Sequence, residues 1–509
     1  MEGVAASWNA WRAAPESAHA AQCYVNEATM YAKTLAGSEE ARDALSPADL
    51  WLHVRAVLDA WTAYEAQVDP QKRKERATWA DVARAALGLV RNSAVDPRHA
   101  QMIGTHGRDV QRWMQTLLAF ERMSDPLLLV PIRVLAQCLV NGVTSAPDTR
   151  SMLWAAHVTA EGTQPWADAI LRLLSSPDER TSLAAQVFLL NCVPPGDARL
   201  RDLVHTKPAR RAMEVVLHLY EAALYEETSE TIPITIALVD RLFGAGLIGP
   251  LLDALGTDDD IHPAQLTLLR VLIECLHQHV QTPTAEQVDA PWVANIRPLI
   301  DRVMALSQYA TNAMHQVANE GAEAQGLVRA YMGLLALFEC LHWAGLRAHQ
   351  DASAARTTEA AALLPLLREP AVLGATIELL RQARSFYPPK APFAPSGASV
   401  PDGHAKSALH TSVPDDDRPG LPHLKRSALQ LLGTLSFPAG PHDRAAVRDV
   451  QDHVRELGGL IDVLSLTALD ELNPYIREHA VFALRNLLEQ NAASQALVRE
   501  LQPIPSGGT

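Results

Sequence analysis

The residues best suited to chemistry are one glycine string, small groups of histidine and aspartate, and five cysteines. Gly244-Ala245-Gly246-Leu247-Ile248-Gly249 spells GxGxxG. In a dinucleotide site that string follows a strand and lets a pyrophosphate meet a helix N-terminus. The preceding ITIALVDRLF has the content of a strand. Pro250, however, would sit badly in the first turn of a helix packed on a sheet, and no β/α series surrounds the glycines. A turn between two helices is the expectation. His277 and His279 stand two apart in a helical run, so they point to different faces and are poor joint ligands. Asp258-Asp259-Asp260 lacks the alternating spacing of a calcium loop and reads as a solvated turn. Neither an HExxH string nor a GxSxG elbow occurs.

Cys23, Cys138, Cys192, Cys275 and Cys340 are odd in number and far apart, which argues against a disulfide framework or a zinc site. The last four lie in apolar runs such as LIECLH and LALFECLHW and are expected to be core thiols in a reducing compartment. Cys and Met pairs at the spacing of a soft-metal site are missing. The expectation is a chain with no catalytic residues, no cofactor and no metal, that is, not an enzyme.

The elements that must position anything here are helices. The apolar content is dominated by Ala and Leu, with only 5% aromatic residues, and Ala and Leu lose little side-chain freedom in a helix. Ser46-Pro47-Ala48-Asp49 and Ser176-Pro177-Asp178-Glu179 place a capping hydroxyl before a proline, and Asn473-Pro474 repeats the theme with an amide. After the last of these, Ile476, Ala480, Ala483, Leu484, Leu487 and Leu488 recur at helical spacing. No convincing strand signal occurs.

The helices follow a recurrent order: a glycine turn, a short apolar helix, a polar turn, then a longer apolar helix ending near Asn. The clearest copy starts at Gly458-Gly459-Leu460 and ends at Asn491; a second runs from Ala169 through SSPDE to RTSLAAQVFLLNCV. Asn92, Asn141 and Asn191 lie 49 and 50 residues apart, near the ~40–47 of armadillo and HEAT units. Such units cannot bury their apolar faces alone and must stack. The expected fold is therefore an all-α, right-handed superhelical solenoid of armadillo/HEAT-like repeats. Its expected divisions are a helical-repeat region over 1–385, a disordered Pro-rich loop over 386–422, a C-terminal armadillo-like domain over 423–501, and a flexible tail over 502–509. The PAGPHDR segment, 438–444, also reads as irregular.

Charge narrows the partners. With 44 Lys and Arg against 58 Asp and Glu, the net charge is -14, and an acidic surface repels phosphate backbones, so no nucleic acid is expected. The basic run Lys72-Arg73-Lys74 with Arg76 reads as a solvated helix–helix loop, a nuclear-import signal being the sharper alternative. The N-terminus lacks the pattern of a secretory signal. No run reaches the ~18 uninterrupted apolar residues of a membrane span. Other proteins are the expected partners, without membrane insertion and in the cytoplasm; homo-oligomers are compatible with the sequence.

From His423 to Leu501 a set of strings stands out: Leu424-Lys425-Arg426, Leu431 to Gly433, Gly458-Gly459, Asn473 to Glu478, and Arg485 to Leu487. They closely resemble the C-terminal domain of the ataxin-10 family, over about a sixth of the chain. His479 departs from that pattern, which usually carries Trp there, and PAGPHDR stretches the preceding loop. The resemblance implies an armadillo-like fold and a non-enzymatic role linked to cell survival and cytokinesis. A copper-transport label attached to fungal relatives finds no support in these residues.

One binding face is expected. Glu478, Phe482, Asn486 and Glu489 lie at i, i+4, i+8 and i+11 along the last long helix, off its core stripe. In peptide-binding armadillo proteins the equivalent face holds a large apolar residue four before an Asn, whose amide grips an extended backbone. Phe482 and Asn486 have that spacing, and Val187 and Asn191 echo it. The competing reading packs Phe482 on the neighbouring repeat and lets Asn486 bond nearby backbone. An adaptor or scaffold is thus expected, with an importin-like cargo adaptor as the alternative.

Overall fold

The computed structural model describes the chain outside residues 70, 163–166, 227, 257–260, 283–289, 321–324, 355, 357, 387–422, 472 and 502–509, and outside the side chains of 317–320 and 325. The expected Pro-rich loop beyond Phe386, the Asp258-Asp259-Asp260 turn and the C-terminal tail lie outside the described residues. Among the described residues every regular element is helical. The chain divides into two compact units, Met1–Arg241 and Leu242–Thr509.

In the first unit, α1 (Ala18–Gly37), α2 (Pro47–Glu65), α3 (Arg73–Ser93), α4 (Leu129–Ser145) and α5 (Glu179–Cys192) carry the core. α1, α3, α4 and α5 pack side by side in sequence order. α2 and the helices Pro97–Thr105 and Pro147–His157 form a second layer. The buried faces follow helical spacing: Ala184, Ala185, Phe188, Leu189 and Cys192 in α5 are sealed from solvent.

In the second unit one layer is α6 (Pro263–Gln281), α8 (Gln325–Ser353), α10 (Leu424–Leu435) and α12 (Ile476–Leu488). The other is α7 (Trp292–Glu320), α9 (Pro370–Phe386) and α11 (Arg444–Glu456). By length and composition Gly326–Ser353 could cross a membrane, but here it is a core helix, mostly buried between α6 and α10. Helices that stack in register, each covering the next one's apolar face, are the helical-repeat architecture the sequence requires.

The long helices are tied together near their ends by amide side chains. Asn92 Nδ2 donates to the Ala32 carbonyl at 2.7 Å, and Asn141 Nδ2 to the Arg91 carbonyl at 2.7 Å. Asn191 Nδ2 donates to Thr144 Oγ1 at 2.8 Å. Each amide thus reaches back onto the preceding long helix. Helix C-termini leave carbonyls without intrahelical partners, and the Asn141 amide answers that need at Arg91 in the last turn of α3.

The glycine string joins two helices, Thr231–Gly244 and Ile248–Ala254, which bend by 112° at the break. Gly246 takes φ +70, which a side chain would strain, and a Cβ on Gly249 would lie 2.5 Å from the Pro298 ring. Buried Asn295 completes the turn: Nδ2 donates to the Phe243 carbonyl at 2.7 Å, and Oδ1 accepts from Ile248 N–H at 3.2 Å. The glycines serve close packing, and Ile248 N–H is already engaged within the turn.

Several local expectations shift. Ser46 caps α2 with Pro47 at the first position, as the spacing predicts. α5 begins two residues later than expected, with Asp178 rather than Ser176 as the cap and accepting from Thr181 N–H. α12 starts at Ile476, so Asn473 is not its cap. The same helix ends at Leu488, and Asn491 caps the next one, Ala492–Glu500. The basic run opens α3 instead of lying in a loop, and Arg76 bridges Glu65 and Asp125. PAGPHDR is pinned, because Arg368 grips the Asp443 carboxylate with two bonds of 2.7 and 3.0 Å.

Candidate functional site

The C-terminal motif residues prove to be fold-building groups. Lys425 and Asp470 are each 1% exposed at the side chain and form an ion pair of 3.2 Å, joining α10 to the turn before α12. Burial pulls the Lys425 pKa below the usual lysine range, and the Asp470 carboxylate opposes that shift. Asn486 is buried, and its Nδ2 donates to the Gly433 carbonyl at 2.9 Å. A Cβ on Gly433 would lie 2.8 Å from the Phe482 ring, so the glycine makes room for that ring against α10. Gly458 takes φ +76 in the turn before the helix Gly459–Ser465.

These facts decide between the two readings of the last long helix. Glu478, Phe482 and Glu489 are exposed, Phe482 at 45%. Asn486 bonds its neighbour's backbone and does not face solvent with them. Half-buried Asn191, beside a half-buried Val187, instead donates to the side-chain hydroxyl of exposed Thr144. The Asn486 amide is therefore bonded inside the fold.

What remains is a run of rings on α6, α8 and α12, passing over Gly433 and Thr434 of α10. His277 on α6 lies 4.6 Å from the Trp343 ring on α8. Its neighbour His342 has Nδ1 3.0 Å from Thr434 Oγ1 on α10. His342 also feels His479 on α12, one turn from Phe482, which rests on Gly433. His277, His342, Trp343 and His479 are half-buried. Burial, then the neighbouring His479, lowers the His342 pKa to about 4. Burial and Arg426 lower that of His479, with Glu478 opposing. Both imidazoles are thus held neutral at physiological pH.

The sign of the pH dependence follows. His342 binds its proton more weakly in the folded chain than in the unfolded one, so the stabilisation is intact above about pH 6.5. It is lost as pH falls towards the folded value of about 4. The urea midpoint is expected to drop between pH 7 and pH 5, and His342→Gln should make that drop smaller. An identical drop in the variant would contradict the assignment. His53 and His349 are shifted by burial in the same direction, so part of the drop should persist.

Among the described residues no cluster of His, Cys, Asp and Glu could hold a metal ion. Cys138, Cys192, Cys275 and Cys340 are buried and Cys23 is exposed. Burial pushes the Cys138 and Cys192 thiols up to about 12, and Cys340 higher still, so these are not nucleophiles.

The sequence held one unused signal for the stripe. Glu274-Cys275-Leu276-His277 and Glu339-Cys340-Leu341-His342 are the same string, set on neighbouring long helices. In both, the Cys is buried and the His half-buried, which marks equivalent positions in adjacent repeats.

Comparison with known proteins agrees with these motifs. A family profile described as the spinocerebellar ataxia type 10 protein domain matches residues 424–506. An ataxin-10 homolog of Dictyostelium discoideum is 40% identical over 78 residues, 15% of this chain and 12% of that protein. One of Candida albicans is 44% identical over 79 residues, 16% of this chain and 15% of the relative. Ataxin-10 of Bos taurus is 32% identical over 78 residues, 15% of each. The matched segment is thus less than a fifth of each relative. Among solved structures, an engineered protein aligns with TM-score 0.36 and 14% identity, covering 96% of this chain and 99% of that one. SYS-1 aligns with TM-score 0.33 and 13% identity, covering 99% and 90%. The C-terminal segment, in which Lys425, Gly433, Gly458 and Asn486 build the fold, is thus similar to the C-terminal domain of ataxin-10 proteins.

Proposed function

We propose that this chain is a non-catalytic protein-interaction scaffold of the ataxin-10 type, acting in the cytoplasm in the regulation of cytokinesis and cell survival. One observation carries the scaffold reading: the aromatic stripe of His277, His342, Trp343, His479 and Phe482 on α6, α8 and α12, with Gly433 and Thr434 of α10 between them. Rings held half-exposed on rigid helices bury large area at small entropic cost when a partner covers them, as at the anchors of protein interfaces. The cellular role is the one the family resemblance suggests. His479, where the family pattern usually has Trp, falls within this stripe, so the departure changes the chemistry of the face offered to a partner. The importin-like alternative has less support, because Asn486 and Asn191 are bonded to neighbouring helices.

The test compares the tagged full-length chain with its Trp343→Ala/Phe482→Ala variant by affinity purification and quantitative mass spectrometry. Proteins enriched by the wild type should fall about tenfold with the variant, the effect of losing an anchor pair, while far-ultraviolet circular dichroism is unchanged. Equal recovery by both baits would refute the stripe as the binding face.

A further inference from the structure

We propose a second docking site in the same unit: an acidic groove beside α11 that takes a protein segment carrying two basic side chains about two helical turns apart around an apolar centre. This goes beyond the stripe reading and does not depend on it.

The groove has a volume of about 750 Å³ and runs between α11 on one side and the start of α9 with the preceding 361–368 segment on the other. Its floor and far wall are apolar. Leu364, Leu373 and Val450 lie at the bottom, the exposed rings of Pro365 and Pro370 form one lip, and exposed Ala446 leaves the centre open. Prolines present no N–H, so that lip attracts aliphatic surface rather than carbonyl groups.

The near rim is negative. Asp443 is neutralised by Arg368 and Asp452 by Arg455, with Asn491 donating a hydrogen bond to Asp452. Asp449 is exposed and has no hydrogen bond or ion pair among the described residues. Exposed Glu456 has only the edge of Arg455 at 3.9 Å. These two carboxylates stand seven residues apart on α11, so they are about 10 Å apart along its axis. Between them His453 Nε2 lies 3.3 Å from the Pro370 carbonyl, and His442 is the other imidazole on the wall.

Two carboxylates above an apolar floor match the shape of Lys and Arg side chains. The methylene stem can lie on Pro365, Pro370 and Ala446 while the cationic end meets Asp449 or Glu456. Charge complementarity of this kind fixes register and orientation, and a net charge of -14 steers a basic segment towards the chain.

The experiment uses the full chain and a fluorescein-labelled 12-residue Leu/Lys peptide with two lysines seven positions apart, read by fluorescence anisotropy. The same peptide with glutamates in place of lysines is the control. The lysine peptide should bind at least about tenfold more tightly than the glutamate one, and Asp449→Lys/Glu456→Lys should remove most of that difference. Ala446→Trp, which fills the centre without altering charge, should weaken binding comparably and keeps the test decisive if the charge-reversed protein misfolds. Glu39→Lys/Glu40→Lys, an equal charge change on an exposed helix of the first unit, should shift the affinity less than about twofold. Trp343→Ala/Phe482→Ala should leave it unchanged. Equal loss from the Glu39/Glu40 reversal would reduce the effect to net charge and overturn the proposal. So would loss from the stripe variant alone, or no preference for the lysine peptide.

Discussion

Asp351→Leu is expected to destabilise the protein by about 3–5 kcal/mol, because it strands a guanidinium that the fold has removed from water. Arg347 and Asp351 lie one turn apart on α8, both 1% exposed, with Nε 3.2 Å from the carboxylate. Arg347 Nη1 also donates to the His279 carbonyl at 2.8 Å, and its guanidinium sits 5.7 Å from the centre of the Trp292 ring. Trp292 in turn meets Phe243 and His279 edge-on, so the arginine is set within an aromatic cluster. Thr358 Oγ1 adds a 2.8 Å bond to the same carboxylate and ties the following segment to α8. Chemical denaturation of the full chain, followed by circular dichroism, measures the loss. Arg347→Met/Asp351→Leu should recover most of it, since an apolar pair of similar volume replaces a charge left without its counterion. A single variant within about 1 kcal/mol of wild type would show that water reaches Arg347.

Asp470→Leu should cost a similar amount, about 3–5 kcal/mol, but with a different response to pH. It leaves Lys425 buried without its carboxylate partner, and Lys, unlike Arg, can shed its proton. Burial already lowers the Lys425 pKa, and removing Asp470 removes a group that holds it up. The unfolded chain then binds more protons than the folded one as pH rises from 7 to 9, so the variant should regain stability over that interval. Asp351→Leu should regain none, because Arg347 stays charged throughout. Parallel pH series on the two variants check this; equal slopes would contradict the difference drawn between the two buried cations.

The sequence made the helices, their two-layer repetition and the C-terminal family motif legible, because each depends on local spacing. Pro47 after Ser46 sets a helix start within four residues, and the apolar positions of α12 recur every turn whatever lies opposite. The asparagines were half legible. Their 49- and 50-residue spacing shows at once in the sequence, but their bonds join a side chain to a carbonyl one repeat earlier. Asn486 shows the consequence: four residues after Phe482 it has the spacing of a peptide-gripping amide, yet the carbonyl it meets belongs to Gly433. No local pattern separates those outcomes, since both place an amide on the same face of a helix. The stripe was less legible still. Its rings sit on three helices spread over more than 200 residues, and only stacking in register brings His277 to Trp343 and His342 towards His479.

The most direct test of the scaffold reading is site-specific photo-crosslinking in cells from a benzoyl-phenylalanine placed at position 482. The same probe at exposed Leu52 of the first unit serves as reference. A discrete adduct with another protein is expected from 482 and none of that size from 52. Indistinguishable adduct patterns from the two positions would contradict it.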